Sequence, residues 1–410
     1  MSEEKKSGVS RRGFLQALGI ASGAAALTPV APGAVSKAVA KSFSLGTTGT
    51  LKIGVIMPRG AWTAESALQG MMLQLNEAGN KAGGREVQLI VEPIGTGFGS
   101  LLSKTTKLVE KDGVEVVIAY ANSRAASSIH EYVKTKPVTF IEMNAGEAIT
   151  SENAVAPNYF RSTLNLWQAH AAMGSWAAES LGKDAAVMSS FTNSGFDFQN
   201  AFQYGFAEAG GTVKSMRVTG APALSDHPAL AISEAAKEQA SFVYASYSDA
   251  QAIGFAQAFS SAGMSMPVIG TNFAQGTREE SFDTIAITGA RYAGSWSKKI
   301  AYAENQKFIK NYEVFSGKSA NEYAVLGYDT LGLVMLAARS SSIASGLRSA
   351  AIAGPRGEMR FDPKSQTLGT EIFLFDAVGN VQTNLDYAAS MSAASHADEL
   401  RSGWLNSYLD

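Results

Sequence analysis

The chain has 410 residues, enough for two domains with separate cores. Hydrophobic residues make up 46% and charged residues 17%, which excludes a disordered chain; a formal net charge of −2, with no basic run after residue 40, gives no surface for nucleic acid. There are no cysteines, which excludes disulfides, thiolate catalysis, Cys-ligated zinc, iron–sulfur clusters and a lipid-anchored N-terminal Cys.

The N-terminus carries Ser10-Arg11-Arg12-Gly13-Phe14-Leu15-Gln16, a weakly apolar run over Ala17–Val30 and a small-x-small site at Ala38-Val39-Ala40. A charged region, an apolar region and such a site read as an export signal. The adjacent arginines resemble the twin-arginine signal, which implies the twin-arginine export machinery as a partner and a periplasmic destination. The uninterrupted apolar stretch falls short of the ~20 residues that a membrane span needs. Residues 1–40 are read as the signal and 41–50 as a lead-in.

The organising stretch is Leu51–Gly84. A buried-type strand, Leu51–Met57, breaks at Pro58-Arg59-Gly60 and runs into a helix from Thr63 to Ala78, with a second strand over Glu86–Glu92. Strand–helix–strand is the seed of a parallel sheet. A helix over Ser100–Lys111, a β-branched strand over Val114–Ala119, a helix from Asn122-Ser123 to Tyr132 and a strand over Pro137–Ile141 continue the alternation. Asn158–Arg161 reads as a crossing strand. The pattern then repeats with a similar period: helix Leu166–Leu181, strand Ala185–Ser189, helix Phe196–Ala209, strand Thr212–Val218, helix Leu224–Gln239, strand Ser241–Ala245, helix Asp249–Ala262 and strand Pro267–Gly270. Two Rossmann-like lobes follow from the pattern. From Ala290 it changes. Tyr292–Ser295 reads as a second crossing, Ala303–Phe315 and Ala320–Ala338 as helices, and Ser340–Ser345 as a break or helix junction. Gly357–Phe361 and Thr370–Phe375 are strands either side of a turn, and the last ~30 residues read as a helical or loose tail.

No catalytic or metal constellation is present. His130, His170, His227 and His396 are scattered, each reading as a surface or capping residue, and no Gly-x-Ser-x-Gly elbow occurs. Gly95-x-Gly97-x-Gly99 lacks the dinucleotide spacing and does not follow the first strand, so it reads as a loop. No cofactor is expected. The informative residues stand just after the apolar strands, whose carboxyl ends converge on one edge in such folds. They are Arg59 and Trp62; Tyr120, Asn122, Ser123 and Arg124; and Asn144, Ala145 and Gly146. In the second half they are Phe191, Asn193 and Ser194; Tyr247 and Ser248; and Asn272 and Phe273. Hydroxyls, amides, helix N-terminal N–H groups and aromatic faces suit a small polar or acidic ligand with an apolar body. Ser123 stands out as an N-cap whose helix end can hold a carboxylate, and Trp62 as a large aromatic in a tight turn.

Lys52-Ile53-Gly54-Val55, Leu75–Gly79, Gly83–Val87, Asp112-Gly113-Val114 leading to Val116–Ser123, Gly210–Val213, Phe255–Gly263 with Pro267–Gly270, and Gly357–Asp362 occur in an order that resembles the branched-chain amino-acid (Leu/Ile/Val) type of periplasmic solute-binding protein. The likeness covers residues 51–380. It implies an α/β fold of two Rossmann-like lobes with parallel sheets joined by a three-segment hinge, a type I periplasmic binding protein. Lobe one would be 51–160 plus 297–355, lobe two 161–296 plus 356–380 with a terminal hairpin, and 381–410 a tail. It also implies that a small ligand is held in the cleft and delivered to the membrane permease of an ABC transporter. In the family a Ser hydroxyl and amides take the ligand carboxylate; the matching positions are Ser123 and Asn144–Gly146. The family's acidic residue for an α-ammonium is matched by neutral Asn272, and Ser194 stands nearest the place of an expected aromatic. These departures point to a carboxylate- or amide-bearing ligand without a free amine, with an aromatic body among the options and an amino-acid-like ligand as the alternative. The same fold can also serve as a sensor subunit signalling to a membrane kinase or chemoreceptor.

Overall fold

The computed structural model describes residues 49–95, 99–121, 125–126, 128–146, 155–190, 198–219, 228–271, 287 and 289–385; residues 1–40, read above as an export signal, lie outside them. Strand β1 (Leu51–Pro58) is buried along nearly its whole length. It pairs in parallel with β3 (Arg85–Ile94) on one side and β4 (Val116–Tyr120) on the other. Helix α1 (Trp62–Glu77) connects β1 to the two-residue β2 (Lys81–Ala82), which pairs antiparallel with β3. After α2 (Leu101–Glu110) and β4, the short α3 (His130–Lys134) leads to β5 (Thr139–Asn144), and β6 (Tyr159–Thr163) closes the sheet. The order is β2-β3-β1-β4-β5-β6. The buried strands β1, β4 and β5 occupy the centre. β3 is half exposed, because only β2 shields its outer side.

The second sheet is built the same way. It takes β7 (Asp184–Ser190), β8 (Thr212–Thr219), β9 (Phe242–Ser246), β10 (Val268–Gly270) and β11 (Arg291–Gly294) in parallel. Helices α4 (Leu166–Ser180), α5 (Phe198–Glu208), α6 (Pro228–Lys237) and α7 (Asp249–Ser261) connect and cover it. Strand parity divides its core. Phe242 and Tyr244 pack under α4 and α5, whereas Val243, Ala245 and Tyr247 pack under α6 and α7.

After β11 the chain returns to the first sheet through α8 (Ala303–Ser316) and α9 (Glu322–Ala337). A Cβ at Gly70 would fall inside the Ala324 carbonyl, and one at Gly327 inside the Ala67 carbonyl, so α1 and α9 meet backbone to backbone. Tyr312 donates to Gln69 Oε1 at 2.9 Å beside them. Of the two readings of the serine run, the helix junction holds: Ser342 Oγ accepts from Ser345 N at 3.2 Å and caps α10 (Ile343–Ser349).

The C-terminal strands differ from expectation. Strands β12 (Ala351–Gly354), β13 (Gly357–Phe361) and β14 (Leu368–Gly369) form a small antiparallel sheet of their own. β15 (Ile372–Asp376) instead pairs with β11 and with β16 (Val381–Leu385). β13 and β15 are therefore not partners in a hairpin, and part of the expected tail is an edge strand. Four of the five β16 residues are exposed, so it carries no apolar signal.

The chain passes between the sheets at residues 163–166, 294–297 and 369–372, and buried hydrogen bonds tie these crossings together. The fully buried Arg356 donates from Nε to Asp329 Oδ2 on α9 at 2.7 Å and from Nη1 to the Thr163 carbonyl at 2.7 Å. Ser295 Oγ donates to the Leu164 carbonyl at 2.9 Å, and Asn165 Nδ2 to the Leu368 carbonyl at 2.7 Å.

Candidate functional site

Parallel pairing brings the carboxyl ends of β1, β4 and β5 to one edge of the first sheet. The loop after β1 places Arg59 in solvent, with its backbone N–H bound to the Ile94 carbonyl at 2.8 Å. Trp62, the first residue of α1, lies half-buried with its ring edge-on to Tyr323 at 5.4 Å. Tyr120, the last residue of β4, lies 6.4 Å from the same Tyr323 ring. Three segments thus meet in one half-buried aromatic cluster. Tyr323 is absent from the sequence reading, which treats Ala320–Ala338 only as a helix. The available signal was Asn321, whose Oδ1 accepts from Ala324 N at 3.0 Å and so marks the helix start. Asn321 also donates to Ser66 in the first turns of α1, so the two helices open at the same edge.

The turn after β5 is bound on both sides. Asn144 Nδ2 donates to Glu142 Oε1 at 2.5 Å, and Asn144 Oδ1 accepts from Gly146 N at 2.8 Å. The Ala145 and Gly146 carbonyls accept from Leu166 N at 3.2 Å and Trp167 N at 3.3 Å, the first donors of α4. Gly146 has φ +109, and a Cβ there would meet Leu166 N at 2.7 Å, so the turn requires glycine. Among the described residues no acceptor takes the Ala145 N–H, and Ala145 is half-exposed. α4 covers the second sheet, and its N-terminus lies at that sheet's carboxyl edge. The carboxyl edges of the two sheets therefore meet at this turn.

In the second lobe, Ser248 precedes α7 in an extended conformation, and its carbonyl accepts from Ala252 N at 3.1 Å. Tyr247 is placed differently from its neighbour. Its ring is 1% exposed, stacks on Phe255 at 4.6 Å and shares a 2.9 Å hydrogen bond with Thr219 Oγ1. Burial pushes its phenol up to about 12, with Thr219 opposing. The parity of β9 sends this side chain into the α6/α7 core and not to the edge. The edge instead has Thr271, whose Oγ1 donates to the Tyr247 carbonyl at 2.7 Å. Asn122, Ser123, Phe191, Ser194 and Asn272, with the middle of the Gly95–Gly99 loop, lie outside the described residues.

Both described histidines are buried, where the sequence placed them at the surface or at caps. His130 Nε2 accepts from Ala156 N at 2.8 Å. His170 is fully buried, with Nδ1 3.1 Å from the Tyr244 hydroxyl, and burial holds its imidazole at about 3, so it stays neutral. Among the described residues no cluster of His, Asp or Glu could hold a metal ion, and no helix is long and apolar enough to cross a membrane.

Two mainly parallel sheets with facing carboxyl edges and three tied crossings are the architecture of a type I periplasmic binding protein, a two-lobed solute binder. The sequence model described as "Periplasmic binding protein" matches residues 50–381, and the chain belongs to that family, whose members bind solutes and are not enzymes. The chain is 25% identical over 363 residues to the Leu/Ile/Val-binding protein homolog 6 of Brucella suis biovar 1 (strain 1330), covering 81% of this chain and 90% of that one. It is similar in structure to a solute-binding protein of an ABC transporter from R. palustris in complex with benzoate, with 22% identity, a TM-score of 0.67 and coverage of 82% and 95% of the two chains. A solute-binding protein of an ABC transporter from Rhodopseudomonas palustris BisB5, in complex with 3,4-dihydroxybenzoic acid, gives 20% identity, a TM-score of 0.67 and the same coverage. The resemblance visible in the sequence thus holds for family and fold.

Proposed function

We propose that this protein captures a small carboxylate with an aromatic body in the cleft between its lobes, in the periplasm, and delivers it to the permease of an ABC transporter. The aromatic cluster of Trp62, Tyr120 and Tyr323 carries this reading. It stands on the same edge as the Ala145 N–H, because Tyr120 pairs in register with Met143, two residues before Ala145. Ring faces hold an aromatic body through dispersion and edge-to-face contact, and a backbone N–H beside them takes a carboxylate oxygen. The two similar structures, in complex with benzoate and 3,4-dihydroxybenzoic acid, agree with that chemistry. In this account the ligand touches both lobes and so stabilises a closed arrangement over an open one. The twin-arginine signal would export the chain before this happens, with cleavage near Ala40.

A branched-chain amino acid is the second reading, favoured by the name of the Brucella relative. A thermal-shift panel on the mature chain separates the two. It holds benzoate, hydroxylated benzoates, benzamide, leucine, isoleucine and valine. A ligand at a hundred times its Kd adds about 2.7 kcal/mol of stability. A shift with aromatic acids and none with the amino acids supports the first reading. The reverse pattern replaces it with the second.

A further inference from the structure

Glu142 is the acid that the binding reading does not use. It lies in the middle of β5, fully buried, and its Oε2 accepts from the Tyr159 hydroxyl at 2.6 Å while its Oε1 accepts from Asn144 Nδ2 at 2.5 Å. Arg161 stands opposite it in register on β6, and its Nη2 donates to the Ser365 carbonyl at 3.3 Å. Both Glu142 oxygens act as acceptors, Oε1 from Asn144 Nδ2 and Oε2 from Tyr159, and this sets which way the Asn144 amide points: Nδ2 inward, Oδ1 outward. The outward oxygen is the one that takes the Gly146 N–H at 2.8 Å. The turn's carbonyls are committed to α4, which leaves the Ala145 N–H as the donor that the turn presents.

We propose that Glu142 is a positioning residue for ligand: by orienting the Asn144 amide it fixes the Ala145–Gly146 turn, and so aims the Ala145 N–H at the ligand carboxylate. The inference rests on the binding reading above for the ligand's carboxylate, but the relay from Glu142 to Gly146 stands apart from it. A carboxylate buried one turn behind an anion site would repel the anion if it stood alone. Here Arg161 stands beside it in register on the neighbouring strand, and two hydrogen bonds are donated to its oxygens, both of which offset that repulsion.

The test uses the mature chain and two readouts. Amide hydrogen exchange of the ligand-free protein reports the relay: Gly146 loses at least about tenfold of its protection in Glu142→Leu, and part of it in Glu142→Gln, which keeps one acceptor. Calorimetric titration with benzoate and benzamide, well below each variant's Tm, reports the aim. Glu142→Leu weakens benzoate about tenfold and benzamide much less, and Glu142→Gln falls between Leu and wild type. In a double-mutant cycle on benzoate affinity, Glu142→Gln and Asn144→Ala are non-additive, while each adds to Trp62→Ala. Unchanged Gly146 protection overturns the relay. Lost protection with unchanged benzoate affinity overturns the positioning role. A wild-type chain that binds leucine and ignores benzoate overturns the ligand class, and the cycle run on leucine's carboxylate then decides Glu142.

Discussion

Removal of Asp329 should destabilise the protein through the hinge. Asp329 and Arg356 are 1% and 0% exposed, and their 2.7 Å contact is supplemented by the bond from Arg356 to the Thr163 carbonyl. Asp329→Ala leaves a guanidinium buried without its counter-ion, which costs about 3–5 kcal/mol. For a chain of this length, unfolding entropy is roughly 0.8 kcal/mol per degree, so Tm should fall by ~4–6 °C. Replacing both partners, as Asp329→Leu with Arg356→Met, should cost less than the sum of the singles, because neither charge is then stranded. The pair also has a pH signature. Burial raises the Asp329 carboxyl to about 6 from 3.8, with Arg356 opposing. The folded state therefore holds this proton more tightly than the unfolded state. The contribution of Asp329 falls as pH rises from 3.8 to about 6, at no more than about 1.4 kcal/mol per unit, and is flat above. Chemical denaturation of wild type and Asp329→Asn across that range checks the sign. A single variant as stable as wild type, or a double variant costing the full sum, would refute the hinge-latch reasoning.

The remaining predictions concern packing, His170 and the aromatic cluster. Gly70→Ala drives a Cβ into the Ala324 carbonyl and should cost at least ~2 kcal/mol in a denaturation titration, whereas Gly254→Ala, in α7 with open space around its Cβ, should gain about 0.5–1 kcal/mol. His170 has its imidazole held at about 3 by burial, so its contribution is full above 6.5 and is lost as pH falls through 6.5 toward 3. His170→Phe should flatten that acid limb in a series of urea midpoints, and a wild-type imidazole that titrates near 6.5 by NMR would contradict the burial argument. Trp62→Ala and Tyr323→Ala should each weaken an aromatic ligand about tenfold in calorimetry, with small changes in Tm because both rings are half-buried.

Much of the fold was legible where the strands are central. Val116–Tyr120 is short, apolar and buried, and Thr139–Asn144 is buried along its whole length with an apolar Phe140-Ile141 at its heart; parallel strands covered on both faces leave such runs. Edge elements were not legible. Val381–Leu385 is mostly exposed, and the two-residue strands at Lys81–Ala82 and Leu368–Gly369 are too short to carry a period. In the site, a residue following a strand was a fair guide to the edge but gave no side-chain direction. Trp62 does reach the edge, whereas Tyr247 continues the parity of Val243 and Ala245 into the core. That alternation was present in the sequence and could have told the two apart. Tyr323 and Glu142 were hidden for another reason. Tyr323 reaches Trp62 across a separation of 261 positions in sequence through packing of α9 on α1, and Glu142 acts through Asn144, so neither leaves a local motif. The hinge cluster around Arg356 is likewise assembled from four distant segments.

Calorimetric titration of benzoate into the mature wild-type chain tests the central claim most directly. The account predicts one benzoate bound per chain, recovered unchanged, with leucine giving no heat of binding under the same conditions. Leucine bound tightly and benzoate ignored would contradict it.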